Sequence, residues 1–214
     1  MRTLLSLLAL AGATAACAPV LRPVPPQPIA MILAPPAEAS WRDSATPEDV
    51  VLIDGLAAAW TRAVAAAGRR ARPMIAAERA LLKPAGALDH PQLSPGSYTC
   101  RAVRLDTTGA RAFPPQFCFI MGEKDGRLSF NKQTGSDLPN GWLFADSATR
   151  YVFLGAQQRR AGENSLGYRT DRSADRVGVI ERIAPFRWRL VMPRRDGSFW
   201  VYELTPVPAE QQPG

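Results

Sequence analysis

In the stretch Phe186-Arg187-Trp188-Arg189-Leu190-Val191-Met192-Pro193-Arg194-Arg195-Asp196-Gly197-Ser198-Phe199-Trp200-Val201-Tyr202-Glu203-Leu204, apolar side chains recur at alternate positions on both sides of an Asp-Gly pair. Period two marks a strand, and Asp-Gly between two such runs is the strongest short-range signal of a β-hairpin. Phe186, Trp188, Leu190 and Met192 share one face, while Arg187 and Arg189 take the other. Working back to residue 95, the same alternation and recurring turn residues give eight strands, near 97–105, 117–124, 127–133, 141–145, 149–156, 177–183, 186–193 and 198–205. A second Asp-Gly pair stands in Lys124-Asp125-Gly126-Arg127. Short links force antiparallel neighbours, and an eight-stranded meander removes its exposed edges by closing into a β-barrel, with a β-sandwich as the alternative.

Before residue 95 the period is helical. Thr46-Pro47-Glu48-Asp49 reads as a helix start, with Thr46 as N-cap and Pro47 where a missing N–H costs nothing. Ile53, Leu56, Ala57, Trp60, Val64 and Ala67 then form one apolar stripe up to Gly68. A second helix is expected from Arg72-Pro73 to just before Pro84, followed by a proline-containing connector that holds His90, the only histidine. The expected architecture is therefore α+β: a helical segment over 41–94 packed on a barrel domain over 95–207, with a short tail over 208–214.

The N-terminus reads as a signal peptide over 1–16, since Leu4 to Ala11 is too short to span a bilayer. Thr14-Ala15-Ala16-Cys17 resembles a bacterial lipobox, which would make Cys17 an acylated first residue; Thr14 stands where a branched aliphatic is usual. Ala13-Thr14-Ala15 also fits ordinary secretory cleavage, which would leave a soluble secreted or periplasmic protein. Ala18 after Cys17 favours the outer membrane by resemblance to other lipoproteins. Residues 17–40 form a tether in which 18–36 hold seven prolines, a reach of roughly 60 Å at about 3.1 Å per residue. Within it Ile29-Ala30-Met31-Ile32-Leu33 offers an edge strand. The chain carries 26 Lys plus Arg against 19 Asp plus Glu, net +7. Arginine supplies nearly all of the positive charge, which reads as coding bias, and export argues against nucleic acid as a partner.

Cys100 and Cys118 lie on the first two strands and pair as a disulfide in an oxidising compartment. The register expected from that pair has partner numbers summing to 218, turning near Gly109. Residues 157–176 form a polar insert with five arginines and Tyr168, long enough to act as a lid over a barrel mouth or as a cationic contact. Trp142, Trp188 and Trp200, with Tyr168, are the expected lining of an internal cavity. Glu181 and Glu203 share strand faces with aliphatic neighbours. They either form an acid/base pair or meet arginines such as Arg101 or Arg104. Phosphate loops, nucleophile elbows and metal-ligand spacings are absent from the sequence, and no cofactor is expected.

Pro-Gly-Ser-Tyr-Thr-Cys-Arg (95–101), Phe-Cys-Phe-Ile (117–120), Gly-Trp-Leu (141–143), Tyr-Val-Phe-Leu-Gly (151–155), Val-Gly-Val-Ile-Glu-Arg (177–182) and Arg-Trp-Arg-Leu-Val-Met-Pro (187–193) resemble the exported bacterial family of the domain of unknown function 4893. That resemblance implies export and a shared fold and no activity. Tyr98-Thr99-Cys100 and Ser147-Ala148-Thr149-Arg150-Tyr151 are similar to motifs of membrane-bound C-type lysozyme inhibitors, with Ala148 replacing a glycine. This likeness makes Ser147, Arg150 and Tyr151 a partner surface, where Arg150→Ala would weaken capture without lowering stability. The functional expectation is a monomeric, non-enzymatic envelope lipoprotein. It binds a small apolar ligand or lipid in the barrel, or else a periplasmic protein on the outer surface.

Overall fold

A computed structural model describes residues 40–122, 126–162 and 167–211 of the chain. The expected leader, Cys17 and the proline-rich tether lie outside the described residues. Four helices, α1 (Trp41–Ser44), α2 (Pro47–Asp54), α3 (Leu56–Ala66) and α4 (Gly68–Glu78), precede nine strands. These are β1 (Gly96–Asp106), β2 (Gly109–Ala112), β3 (Gln116–Gly122), β4 (Leu128–Lys132), β5 (Pro139–Ser147), β6 (Arg150–Gln157), β7 (Asp175–Ala184), β8 (Arg187–Pro193) and β9 (Phe199–Pro206). Every neighbouring pair is antiparallel, and β1 meets β9 from Tyr98↔Pro206 to Leu105↔Phe199. That pairing closes β1 and β3 to β9 into an eight-stranded barrel and decides against the sandwich.

The ninth strand, β2, is absent from the sequence reading. It pairs with the second half of the β1 edge whose first half pairs with β3. Between Ala112↔Val103 and Gln116↔Cys100 the β2–β3 side carries one residue more than β1, a bulge at 113–115. Phe113 still donates to the Ala102 carbonyl, but Pro114 and Pro115 have no N–H to give, so the ladder breaks there. The bulge also corrects the expected register: Cys118 stands opposite Tyr98, Cys100 stands opposite Gln116, and the disulfide joins them diagonally with a Cα–Cα distance of 5.9 Å.

The helices differ in two places. The first run is interrupted at Gly55, and α4 begins at Gly68, whose φ of +76° breaks the chain direction, rather than at Pro73. Pro73 sits inside α4 on its exposed side, where it breaks one bond of the helical ladder. Thr46 is the N-cap as expected, accepting from the Asp49 N–H at 3.3 Å.

Alternation sorts the strands into two cores. Cys100, Phe130, Phe153, Ile180, Leu190 and Tyr202 point into the barrel with Trp188 and Met192. Val103, Leu105, Val152, Val179, Val191 and Val201 point outward and are covered by Trp41, Ile53, Leu56 and Trp60 of the helices. Phe186, at the turn before β8, is 75% exposed and does not join the inner face. Its neighbour Arg189 is on the outer face as expected and yet 0% exposed, because the helix layer lies over it. Glycines set the barrel's closest approach: a Cβ on Gly141 would stand 2.3 Å from Gly155 Cα, and one on Gly155 would stand 2.2 Å from the Asn140 carbonyl oxygen.

Candidate functional site at the barrel mouth

The two ends of the barrel are built differently. At the end where β1 begins, the connector is tied down: Leu88 bridges Arg182, the His90 N–H donates to the Ala148 carbonyl, and Trp188 Nε1 donates to the Pro91 carbonyl at 2.9 Å. A groove of about 420 Å³ lies beside this strap, lined in part by His90, Tyr98, Phe186 and Trp188. Tyr98 and Trp188 have already given their polar hydrogens to Ser94 and Pro91.

At the opposite end the inward positions stop being apolar. Along β1 the inward series runs Cys100, Ala102, Arg104; along β7, Ile180, Gly178, Arg176; along β8, Leu190, Met192 and then Arg194; and on β4, Phe130 is followed by Lys132. Strand alternation thus delivers four cations to one rim of a hydrocarbon-filled barrel. Arg104, Arg176 and Arg194 line a cleft of about 470 Å³ with Trp200 and Asp137, roofed by Asp49 and Leu52 of α2 and by Arg172 and Ser173 of the insert. Trp200 points inward at the rim, stacked between Phe113 at 5.1 Å and Tyr202 at 6.2 Å.

The cations differ in what satisfies them. Arg194 uses Nη2 on both oxygens of Asp137, at 2.8 and 2.9 Å, while its Nη1 is buried without a hydrogen-bond partner. Arg176 Nη1 donates to the main-chain carbonyls of Ser173, Ala174 and Asp175, and its Nε is likewise buried and unpartnered. Lys132 donates to the Gln116 side chain and the Thr134 carbonyl. Burial pulls all three below their ordinary values. Neighbouring Arg194 and Arg195 add to the effect at Arg176, and Asp137 opposes it at Lys132 and Arg194. Guanidinium stays charged regardless. The rim is therefore a place where positive charge is concentrated in low dielectric with donors to spare, which is chemistry for holding an anion.

The insert is latched to the helix layer. Tyr168 donates to Asp49 Oδ2 at 2.5 Å and accepts from the Thr46 N–H at 3.0 Å, and Arg172 pairs with Asp49 and Asp175. After desolvation, which opposes it, bonds from Arg172 and Tyr168 hold the Asp49 carboxyl below its ordinary range.

The other expected residues fall in different places. Trp188 is inside the barrel as core, Trp142 is on the outer wall with Arg127 over its ring at 4.5 Å, and Tyr168 is the latch. Glu203 receives Arg101 and Arg187, and Glu181 receives Arg189, all beneath the helices, so the arginine pairing holds and the two carboxylates are apart from the mouth. Ser147 and Tyr151 border a shallow cleft with His90. Arg150 donates to Asp146 at 2.6 Å, and Asp146 also accepts from Trp41 Nε1 at 2.5 Å. An alanine at Arg150 therefore removes a structural ion pair, which corrects the expectation that stability would be untouched. Among the described residues no cluster of metal-ligand side chains occurs, and no helix is long and apolar enough to cross a membrane. From the sequence Arg104 reads only as a partner for a glutamate and Arg176 as one arginine of the insert, while Lys132 and Arg194 escape it, because they lie at strand ends, where a charged residue ordinarily marks solvent.

A family model described as a domain of unknown function, number 4893, matches residues 41–204. No curated protein matches the chain, and the likeness to lysozyme inhibitors gains no support.

Proposed function

The chain belongs to the family of the domain of unknown function 4893, and on that premise we propose that it is a non-enzymatic binding protein of the bacterial envelope, holding a small anionic amphiphile at the mouth of its barrel. One observation carries the reading: Arg104, Arg176 and Arg194, inward-facing at one rim of the barrel, line a single cleft beside Trp200 and under a latched insert. The apolar ligand expected from the strand pattern becomes an amphiphile, because the apolar interior is already occupied by Phe130, Phe153, Trp188 and Tyr202 and the cleft opens on arginines. The leader over 1–16, Cys17 and the tether support an acylated chain anchored to the outer membrane on its periplasmic side.

Mass spectrometry on protein gently purified from native membranes tests both parts. The expected result is a chain starting at an acylated Cys17, with a small anionic molecule retained under native conditions and lost in Arg194→Gln. An unmodified N-terminus removes the anchor, and a bare protein that also takes up no added anionic amphiphile removes the ligand. A second reading, an inhibitor or assembly accessory that binds protein, is favoured by Phe117 and Met121. These lie 56% and 44% exposed on the outer face of β3. In that case Phe117→Ser with Met121→Ser abolishes capture of the periplasmic partner while Arg194→Gln leaves it intact.

A further inference from the structure

Charge accounting at the mouth specifies the anion more closely. Arg172 is matched by Asp49 and Asp175, and Arg194 by Asp137. Arg104 lies 3.3 Å from Asp106 and 3.5 Å from Asp196. That leaves Arg176 and Arg195, whose hydrogen bonds go to main-chain carbonyls alone: Arg176 to those of 173–175, Arg195 to that of Arg172. Neither forms an ion pair of its own among the described residues, five arginines face four aspartates in the cleft lining, and the buried Arg176 Nε and Arg194 Nη1 have no acceptor. These donors come from different points of the rim: Arg176 stands at the start of β7 and Arg194 just past β8, with Arg195 beyond it on the hairpin turn. A carboxylate offers two oxygens in one plane, whereas donors arriving from several directions suit the divergent oxygens of a tetrahedral oxyanion. A phosphate monoester also supplies three strong acceptor oxygens, enough to serve the Arg176 Nε and Arg194 Nη1 donors together.

Resting on the reading of the mouth as the binding site, we infer that the group it takes is phosphoryl, either as the head of an amphiphile or as free phosphate. Arg176 and Arg195 supply its counter-charge, Arg194 supplies a further donor, and Trp200 supplies a wall for whatever the phosphoryl group is esterified to.

The test is calorimetric titration of the disulfide-intact protein with dihexanoyl phosphatidic acid, dihexanoylglycerol, inorganic phosphate and hexanoate. Phosphatidic acid is expected to bind, phosphate to bind more weakly, and the neutral diacylglycerol and hexanoate to bind at least tenfold more weakly than phosphatidic acid. Arg176→Gln is expected to weaken phosphatidic acid at least tenfold. Arg195→Gln, on an exposed turn whose loss does not threaten folding, is expected to weaken it several-fold. Phosphate binding as tightly as phosphatidic acid supports the phosphoryl site and identifies free phosphate as the source. Hexanoate equal to phosphatidic acid, with both sensitive to Arg176→Gln, overturns the phosphoryl assignment and leaves the mouth as the site. Binding of phosphatidic acid that neither variant weakens, or no binding of any anion, overturns both.

Discussion

At the residue scale, Gly155 and Arg189 show how far a side chain's role depends on what lies across from it. A methyl group on Gly155 would meet the Asn140 carbonyl oxygen at 2.2 Å and Phe153 Cζ at 2.6 Å. The carbonyl belongs to a backbone paired on both sides, so it cannot retreat. Gly155→Ala should cost about 3 kcal/mol, read as a lowered midpoint in urea unfolding. Arg189 is wholly buried under the helices, bonded to Glu181 and to the carbonyls of Ala80, Lys83 and Pro84, with Trp60 stacked at 4.3 Å. Arg189→Ala strands a carboxylate and three carbonyls at once and should cost about 3–5 kcal/mol by the same measurement. The sequence places Arg189 on the right face, because alternation dictates it. It cannot show that this face is covered, since a covered outer wall and a solvated one begin from the same period of two.

At the element scale, the insert between β6 and β7 is joined to α2 through Tyr168, Arg172 and Asp49, and only the first two belong to it. Asp49 sits in the first turn of α2, where it reads as a helix-dipole acid and nothing more. Because the Asp49 carboxyl is held below its ordinary range in the folded state, its contribution to the latch is complete above that range and is lost as pH falls through the lowered value. Amide exchange at 168–174, corrected for intrinsic rates, should therefore accelerate in acid. Asp49→Asn should show fast exchange already at neutral pH and a much flatter pH response. Strands were legible for the same reason that the latch was not: alternation and Asp-Gly turns are local, while the latch joins residues more than a hundred positions apart. The one strand missed, β2, has four residues and no apolar alternation, and it exists because the bulge at 113–115 gives β1 a second partner.

At the scale of the whole molecule, the barrel could be inferred from strand count and short links, and the structure adds how its two ends are finished. One end is strapped by the connector, the other is left polar, and the Cys100–Cys118 disulfide staples β1 to β3. The staple closes a loop with a sequence separation of 18, so Cys100→Ser should lower stability by about 3 kcal/mol, chiefly by freeing the unfolded chain. Thermal unfolding with and without reductant checks this: reductant should shift the wild type and leave Cys100→Ser unchanged. If instead both shift alike, the loss lies elsewhere than in the disulfide.

The seam between β1 and β9 also sets an order of events in time. The strand that opens the barrel waits for the strand that closes it, some hundred residues later, and the contacts joining them are among the most distant in the chain. Ring closure of that span is a slow step. A nascent chain that has not yet delivered Phe199–Pro206 leaves the outer edges of β1 and β8 unpaired and able to join with those of other copies. Until that last strand has emerged, both edges stay open to pairing with other chains.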